Sequence, residues 1–148
     1  MTNKHSIEKI LTENNFHKTK LHFTSSNHYK LIAKINGVKG WFILDTGAST
    51  TFVAKDLSKK YKLDYKETTI KAKGAGPEHI DANLSKNNRI NLGKWQWKKC
   101  IIALIDLSPI NTAFEAVNLA AVDGIIGADV LKNGSAVIDY DKNYLYMK

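Results

Sequence analysis

The stretch Trp41-Phe42-Ile43-Leu44-Asp45-Thr46-Gly47-Ala48-Ser49-Thr50 decides how this chain is read. Four apolar residues end on a carboxylate, and turn residues follow at once. A strand of that composition runs through a core, so it would fix the backbone of Asp45 in partly desolvated surroundings that shift carboxylate ionisation. Thr46 offers a hydroxyl able to hold a neighbouring loop. Gly47 offers a backbone without a Cβ, open to close approach. Asp, Thr and Gly are equally common turn residues. On these residues alone, a plain strand-to-turn junction and a catalytic carboxylate explain the stretch equally well.

The flanking sequence reads as short strands. Upstream, Leu31, Ala33 and Ile35 alternate on one face of a strand over residues 29–36, and Asn36-Gly37 is a two-residue hairpin turn leading into 38–44. Downstream, 50–53 is β-branched and aromatic, and lysine-rich 54–62 suits one or two helical turns. Residues 66–73 and 78–84 predict a hairpin tipped by Gly74-Ala75-Gly76-Pro77. Strands are predicted over 89–92 and 95–105, with 107–121 open between loop and helix. A short buried segment, 124–127, precedes a helical turn at 128–132. A last hairpin, 135–140 with 143–147, turns at Asp141-Lys142. Ser6 is a fitting N-cap for a short helix over 7–14, within an amino-terminal arm assigned to residues 1–28. The principal domain is assigned to 29–148. Many short strands and little helix predict an all-β barrel or sandwich.

About eighty residues beyond the first stretch comes Asp123-Gly124-Ile125-Ile126-Gly127-Ala128-Asp129-Val130-Leu131. The chain here resembles the retropepsin-like aspartic proteases, the family of retroviral proteases and their cellular and bacterial relatives. That family has an apolar strand ending in Asp-Thr-Gly-Ala, then a glycine-tipped flap, then an apolar-apolar-Gly segment followed by a short helix carrying Asp or Asn. This chain supplies Leu44-Asp45-Thr46-Gly47-Ala48, then Gly74-Ala75-Gly76, then Ile125-Ile126-Gly127 with Asp129, in that order. The resemblance spans roughly residues 29–148. It leaves the amino-terminal arm unexplained.

The resemblance implies an all-β retropepsin-like barrel with a short helix after the second glycine motif. It implies an aspartic endopeptidase in which two aspartates activate one water for attack on a peptide carbonyl, without a covalent intermediate. The chain has a single Asp-Thr-Gly and about the length of one lobe. The implied enzyme is therefore a homodimer with Asp45 from each protomer at a two-fold axis. Asp45, Thr46 and Gly47 would be the catalytic loop. Ala48, Ser49, Gly74, Ala75, Gly76 and Ile126 would contact substrate, a peptide or protein. No cofactor and no metal are implied. Two departures stand out. Ala48 follows the retroviral pattern, where pepsin-like enzymes carry a hydroxyl. Ser49 and Ala128 occupy positions at which retroviral proteases often have an Asp–Arg ion pair.

Composition narrows the alternatives. The net charge is +8, from 22 basic and 14 acidic residues, but Arg89 is the only arginine. Bidentate base and phosphate recognition leans on arginine, so no specific nucleic-acid partner is expected. Cys100 is the only cysteine. It excludes an intramolecular disulfide and reads as a small buried hydrophobe. His5, His17, His22 and His28 lack close metal-ligand spacing, and Trp95 and Trp97 share one strand face as core or interface residues. The amino terminus lacks an apolar signal stretch and no long apolar run exists, so no membrane is expected and the cytoplasm is the expected compartment. The rival to the enzyme is a peptide-binding or scaffolding domain that keeps the fold without cleaving.

Overall fold

The computed structural model describes residues 6–66, 70–73 and 79–148. In chain order the elements are α1 (Ile7–Glu13), β1 (His17–Lys20), β2 (His22–Phe23), β3 (Tyr29–Ile35), β4 (Val38–Leu44), β5 (Phe52–Ala54), a 3-10 turn (Lys55–Leu57), β6 (Ile70–Lys73), β7 (His79–Leu92), β8 (Trp95–Ile105), α2 (Ser108–Glu115), β9 (Gly124–Ile126), α3 (Ala128–Asn133), β10 (Val137–Asp139) and β11 (Tyr144–Met147). Ser6 caps α1 as its sequence position predicts, its hydroxyl accepting from the Lys9 amide at 3.2 Å.

Six strands close on themselves in the order β3-β4-β9-β5-β8-β7, with β7 returning to β3 through Lys34↔Asn91 and Ile35↔Ile90. Closure removes the free edges that would otherwise invite pairing with another chain. β4 and β9 run parallel, in the register Phe42↔Gly124, Ile43↔Ile125 and Leu44↔Ile126. That register brings the end of the Asp45 strand level with the second glycine motif. The three-strand sheet β1-β11-β10 is separate from the barrel.

Runs such as Ile43-Leu44, Phe52-Val53, Ala103-Leu104 and Ile125-Ile126 are buried on both faces. One face fills the barrel with Leu31, Ile35, Phe42, Leu44, Ile90, Ile102, Leu104 and Ile126. The other carries Ile43, Phe52, Ala103, Ile105 and Ile125, against which Ile110 and Phe114 of α2 pack. Strands covered on both sides lose alternation and read as continuous apolar runs. This also resolves 107–121, which sequence left open. Its first half is a helix because the outer sheet face needs a cover. Asn111 holds the returning chain, exchanging hydrogen bonds with Val122 N–H (2.9 Å) and C=O (3.0 Å).

Two features add to the sequence reading. Over its described residues the amino-terminal arm is joined to the rest of the chain: β1 pairs with β11 over His17↔Met147 to Lys20↔Tyr144, and β2 pairs with β3. Leu21 between them is buried. The two strands expected at 78–84 and 89–92 are one strand, β7. Its ladder to β8 shifts register between Ser85 and Asn88 and again before Ile90. A bulge absorbs extra residues without ending a strand. Here Asn87 adopts φ +61°, and the buried Asn88 is satisfied by Ser85 Oγ and the Asn36 amide, each at 3.0 Å. Trp95 is buried and Trp97 packs against the same core.

Two outcomes follow from this packing. Leu145, fully buried between Thr19 and Ile138, anchors the carboxy-terminal strand. Leu145→Ala is expected to cost about 2–5 kcal/mol in denaturant unfolding, and a cost below about 1 kcal/mol would show that this sheet is not part of the cooperative core. Burial also pushes the Cys100 thiol from 9.0 up to about 12. Its folded pKa is raised, so its contribution to stability is whole below pH 9 and lost as pH rises toward 12. The native protein should resist thiol alkylation at pH 8 and react once unfolded, with labelling followed by mass spectrometry.

Candidate active site

Asp45 is the first residue beyond β4, and main-chain bonds fix it. Its amide donates to the Ile126 carbonyl at 3.0 Å, continuing the β4–β9 ladder by one residue. The chain then turns, with Ala48 N–H donating to the Asp45 carbonyl at 3.2 Å. Gly47 N–H donates to Asp45 Oδ1 at 2.9 Å. The carboxylate is thus half-buried, with one oxygen held by the loop's own backbone.

The loop is clamped from its far side by a residue that the sequence reading passed over. Thr51 is fully buried. Its hydroxyl donates to Asp129 Oδ1 at 2.7 Å and accepts from Gly127 N–H at 3.0 Å, while its amide donates to Asp129 Oδ2 at 3.1 Å. Ala128 N–H adds a 2.7 Å bond to the Ala48 carbonyl. Four consecutive residues of the second motif therefore hold the Asp45 loop: Ile126 at its start, Ala128 in its middle, and Gly127 with Asp129 at its end. The signal in sequence was a hydroxyl in an apolar strand and a carboxylate in the first turn of a helix. Neither reveals that the two meet.

The glycine assignments shift as well. A Cβ at Gly127 would lie 2.7 Å from the Ala48 carbonyl oxygen and 2.8 Å from that of Thr50, both backbone atoms that cannot swing aside. A Cβ at Gly47 would meet only Asp45 Oδ1, at 3.2 Å. Within one protomer the close approach expected at Gly47 is made at Gly127 instead.

Thr46 is exposed, and its hydroxyl has no partner among the described residues. It rims an open depression of about 460 Å³ with Ala128, Leu131, Ala136 and Ile138. Ser49 is exposed too. Ala48 and Ile126 are buried, at 1% and 0% exposed, and the Ala48 N–H and C=O are engaged by the Asp45 carbonyl and the Ala128 amide. Within the single chain both side chains pack in the core. Gly74, Ala75 and Gly76 lie outside the described residues. The strands leading to them, β6 and β7, pair from Ile70↔Ala82 to Lys73↔His79. A larger depression of about 810 Å³ runs beside Lys62, Tyr65 and Leu84, but it includes no residue of the 44–51 or 124–129 segments. Among the described residues it lies apart from the Asp45 loop. Among the described residues no three His, Cys, Asp or Glu gather as a metal-binding group.

The sequence matches a family model described as aspartyl protease over residues 31–130. A search of curated protein sequences finds no match. Among solved structures, the chain is similar to a retropepsin-like aspartic protease from Rickettsia conorii, at 21% identity and a TM-score of 0.57, with 89% of each chain covered. It is similar to the retroviral protease-like domain of Ddi1 from Leishmania major, at 19% identity and TM-score 0.55, covering 88% of this chain and 89% of that one. It is also similar to EIAV protease complexed with the inhibitor HBY-793, at 17% identity and TM-score 0.50, covering 76% and 92%. At these identities the structural likeness speaks for the fold, which is the retropepsin-like barrel.

The clamp is directly testable. Thr51→Val keeps the volume but strands a buried Gly127 N–H and removes a donor from Asp129. Stability should fall by about 1–3 kcal/mol in denaturant melts, whereas Thr51→Ser should stay within about 1 kcal/mol of the parent. A larger loss in Thr51→Ser than in Thr51→Val would mean that the methyl group, not the hydroxyl, matters.

Proposed function

Because the chain belongs to the aspartyl protease family, we propose that it is an aspartic endopeptidase whose active site forms between two copies of the chain. The observation that carries this reading is the Asp45 loop. A half-buried carboxylate is held rigid by its own backbone and by the second motif, at the border of an exposed surface. A binding module gains nothing from fixing a partly desolvated acid there. Preorganised acids are instead what water activation needs, because the enzyme then does not reorganise as charge develops. In this reading, two Asp45 carboxylates share one proton. One takes a proton from the attacking water while the other donates to the scissile carbonyl oxygen, and the tetrahedral diol collapses as the amine leaves protonated.

One chain holds a single such loop, so the second acid comes from a partner copy. The surface around Thr46 suits that contact. Its hydroxyl, without a partner among the described residues, is placed to reach the opposite loop. Beside it, β10 is the terminal strand of the β1-β11-β10 sheet, with Val137 exposed and Ile138 half-buried. An apolar edge with unpaired main-chain groups invites strand pairing with a second copy. The peptide substrate would lie extended between the two loops and the β6–β7 hairpins, bound strand-like through its main chain.

Asp45→Asn should reduce peptide hydrolysis by at least about a thousandfold while leaving the thermal unfolding midpoint within a few degrees of the parent. Hydrolysis by the Asn variant at a comparable rate would refute the aspartic mechanism. A folded parent chain that binds peptides without cleaving them would assign the domain to the binding class. Specific activity should also fall on dilution in step with the dimer population measured by sedimentation. Constant specific activity well below the dimer dissociation constant would exclude a shared site.

A further inference from the structure

The outer face of β2, β3 and β4 carries an arrangement that stability does not explain. Leu31, Ala33 and Ile35 point into the barrel, so Lys30, Ile32 and Lys34 point out. Register places Lys39 directly opposite Lys34, Trp41 opposite Ile32, and His22 opposite Lys30. Like charges directly across a strand pair destabilise a sheet. No described carboxylate forms an ion pair with Lys20, Lys34 or Lys39. The face continues into a groove of about 400 Å³ where Lys18, Lys20, Lys34 and Lys39 meet Thr19 and Asn91, with no acidic residue in its lining. Lys18 alone is neutralised, by Glu8 at 2.5 Å. Ile32 and Trp41, 43% and 36% exposed, form an apolar strip between the lysines.

We propose that this face and groove dock an acidic polypeptide segment carrying interspersed apolar residues. The uncompensated lysines take its carboxylates, Ile32 and Trp41 take its apolar side chains, and Thr19 and Asn91 offer hydrogen bonds to its main chain. The chemistry favours carboxylates over a nucleic acid. Single-strand binding needs an open aromatic platform. Here Lys30 Nζ already sits 4.7 Å from the Trp41 ring centroid, and the His22 ring meets it edge-on at 5.1 Å. Arg89, the only arginine, is not in the groove. His22 reports the same field: burial lowers its pKa, and Lys20 and Lys30 lower it further. Lys39 lies six residues before Asp45 on β4, about 20 Å along the strand. The groove is therefore set apart from the Asp45 loop and does not depend on its chemistry, while Trp41 and Lys30, registered opposite Ile43, extend the face toward it.

The test uses the full chain with Asp45→Asn, so that no cleavage is required and the outcome is independent of the protease reading. The probe is a short fluorescein-labelled peptide rich in glutamate with interspersed leucine, followed by anisotropy. Binding should weaken as salt rises from 20 to 200 mM, as expected for exposed charges (both concentrations roughly set by the screening length). Lys34→Glu with Lys39→Glu should lower affinity by about tenfold or more, and Lys86→Glu with Lys98→Glu, of equal net-charge change but outside the groove, by less than about twofold. Thermal melts establish that each variant is folded. Equal loss in both pairs would overturn the proposal, since net charge alone would then account for binding. Tighter binding of a labelled oligothymidylate of equal charge, lost with Lys34→Glu and Lys39→Glu, would also overturn it in favour of a nucleic acid.

Discussion

The Thr51 hydroxyl stands between Gly127 N–H and Asp129 Oδ1, and both halves of the site depend on that bridge. On one side it ends the loop that carries Asp45. On the other it fixes the start of α3. The surrounding bonds only work if these two segments are in contact. Ala128 N–H reaches the Ala48 carbonyl at 2.7 Å because no side chain at Gly127 keeps the backbones apart. A buried hydroxyl that donates once and accepts once ties the two segments together, and its loss would leave the buried Gly127 N–H without that partner while Asp129 Oδ1 keeps the Val130 amide. The rigidity of the carboxylate is thus a property of tertiary contacts that span nearly eighty residues of chain, not of the turn that contains it.

The same economy of strand ends shapes the rest of the molecule. The barrel closes through β3–β7, and the terminal strands are β2 and β6 in the larger sheet and β1 and β10 in the small sheet outside it. There, β11 is flanked within the same chain by β1 and β10, and β10 is left terminal beside Thr46. One of these terminal strands therefore lies next to the Asp45 loop. A second region of unspent capacity, the lysine face of β2–β4, lies along the same strand that delivers Asp45, toward its opposite end.

Much of the architecture was legible in the residues. The Ser6 cap, the Asn36-Gly37 turn, the alternation of β3 and the terminal hairpin at Asp141-Lys142 are local signals, because each depends on the conformations and burial of adjacent residues. The motif of Asp45-Thr46-Gly47 and its counterpart Ile125-Ile126-Gly127 located the candidate site. Where local reading failed, distant packing had decided the outcome. A polar stretch at 86–88 looks like a loop, yet β8 carries it as a bulged continuation of β7 because Asn88 finds partners in Asn36 and Ser85. The segment at 17–23 looks like an arm, yet β11 pairs with its first half and β3 with its last two residues.

Sequence by itself determined that a carboxylate ends an apolar strand, that a glycine motif follows at a distance, and that the chain is a mostly β domain with an excess of lysine. These are statements about residue type and spacing, which backbone sterics and hydrophobic period convert into local structure. Only the tertiary structure decided that Thr51 and Asp129 are partners, that Ala48 and Ile126 lie inside rather than on a cleft, and that Gly127, not Gly47, carries the close approach. The physical reason is that burial and hydrogen-bond partnership belong to pairs of groups. Which pairs form is fixed by the parallel β4–β9 register and by barrel closure, and no single residue encodes either one.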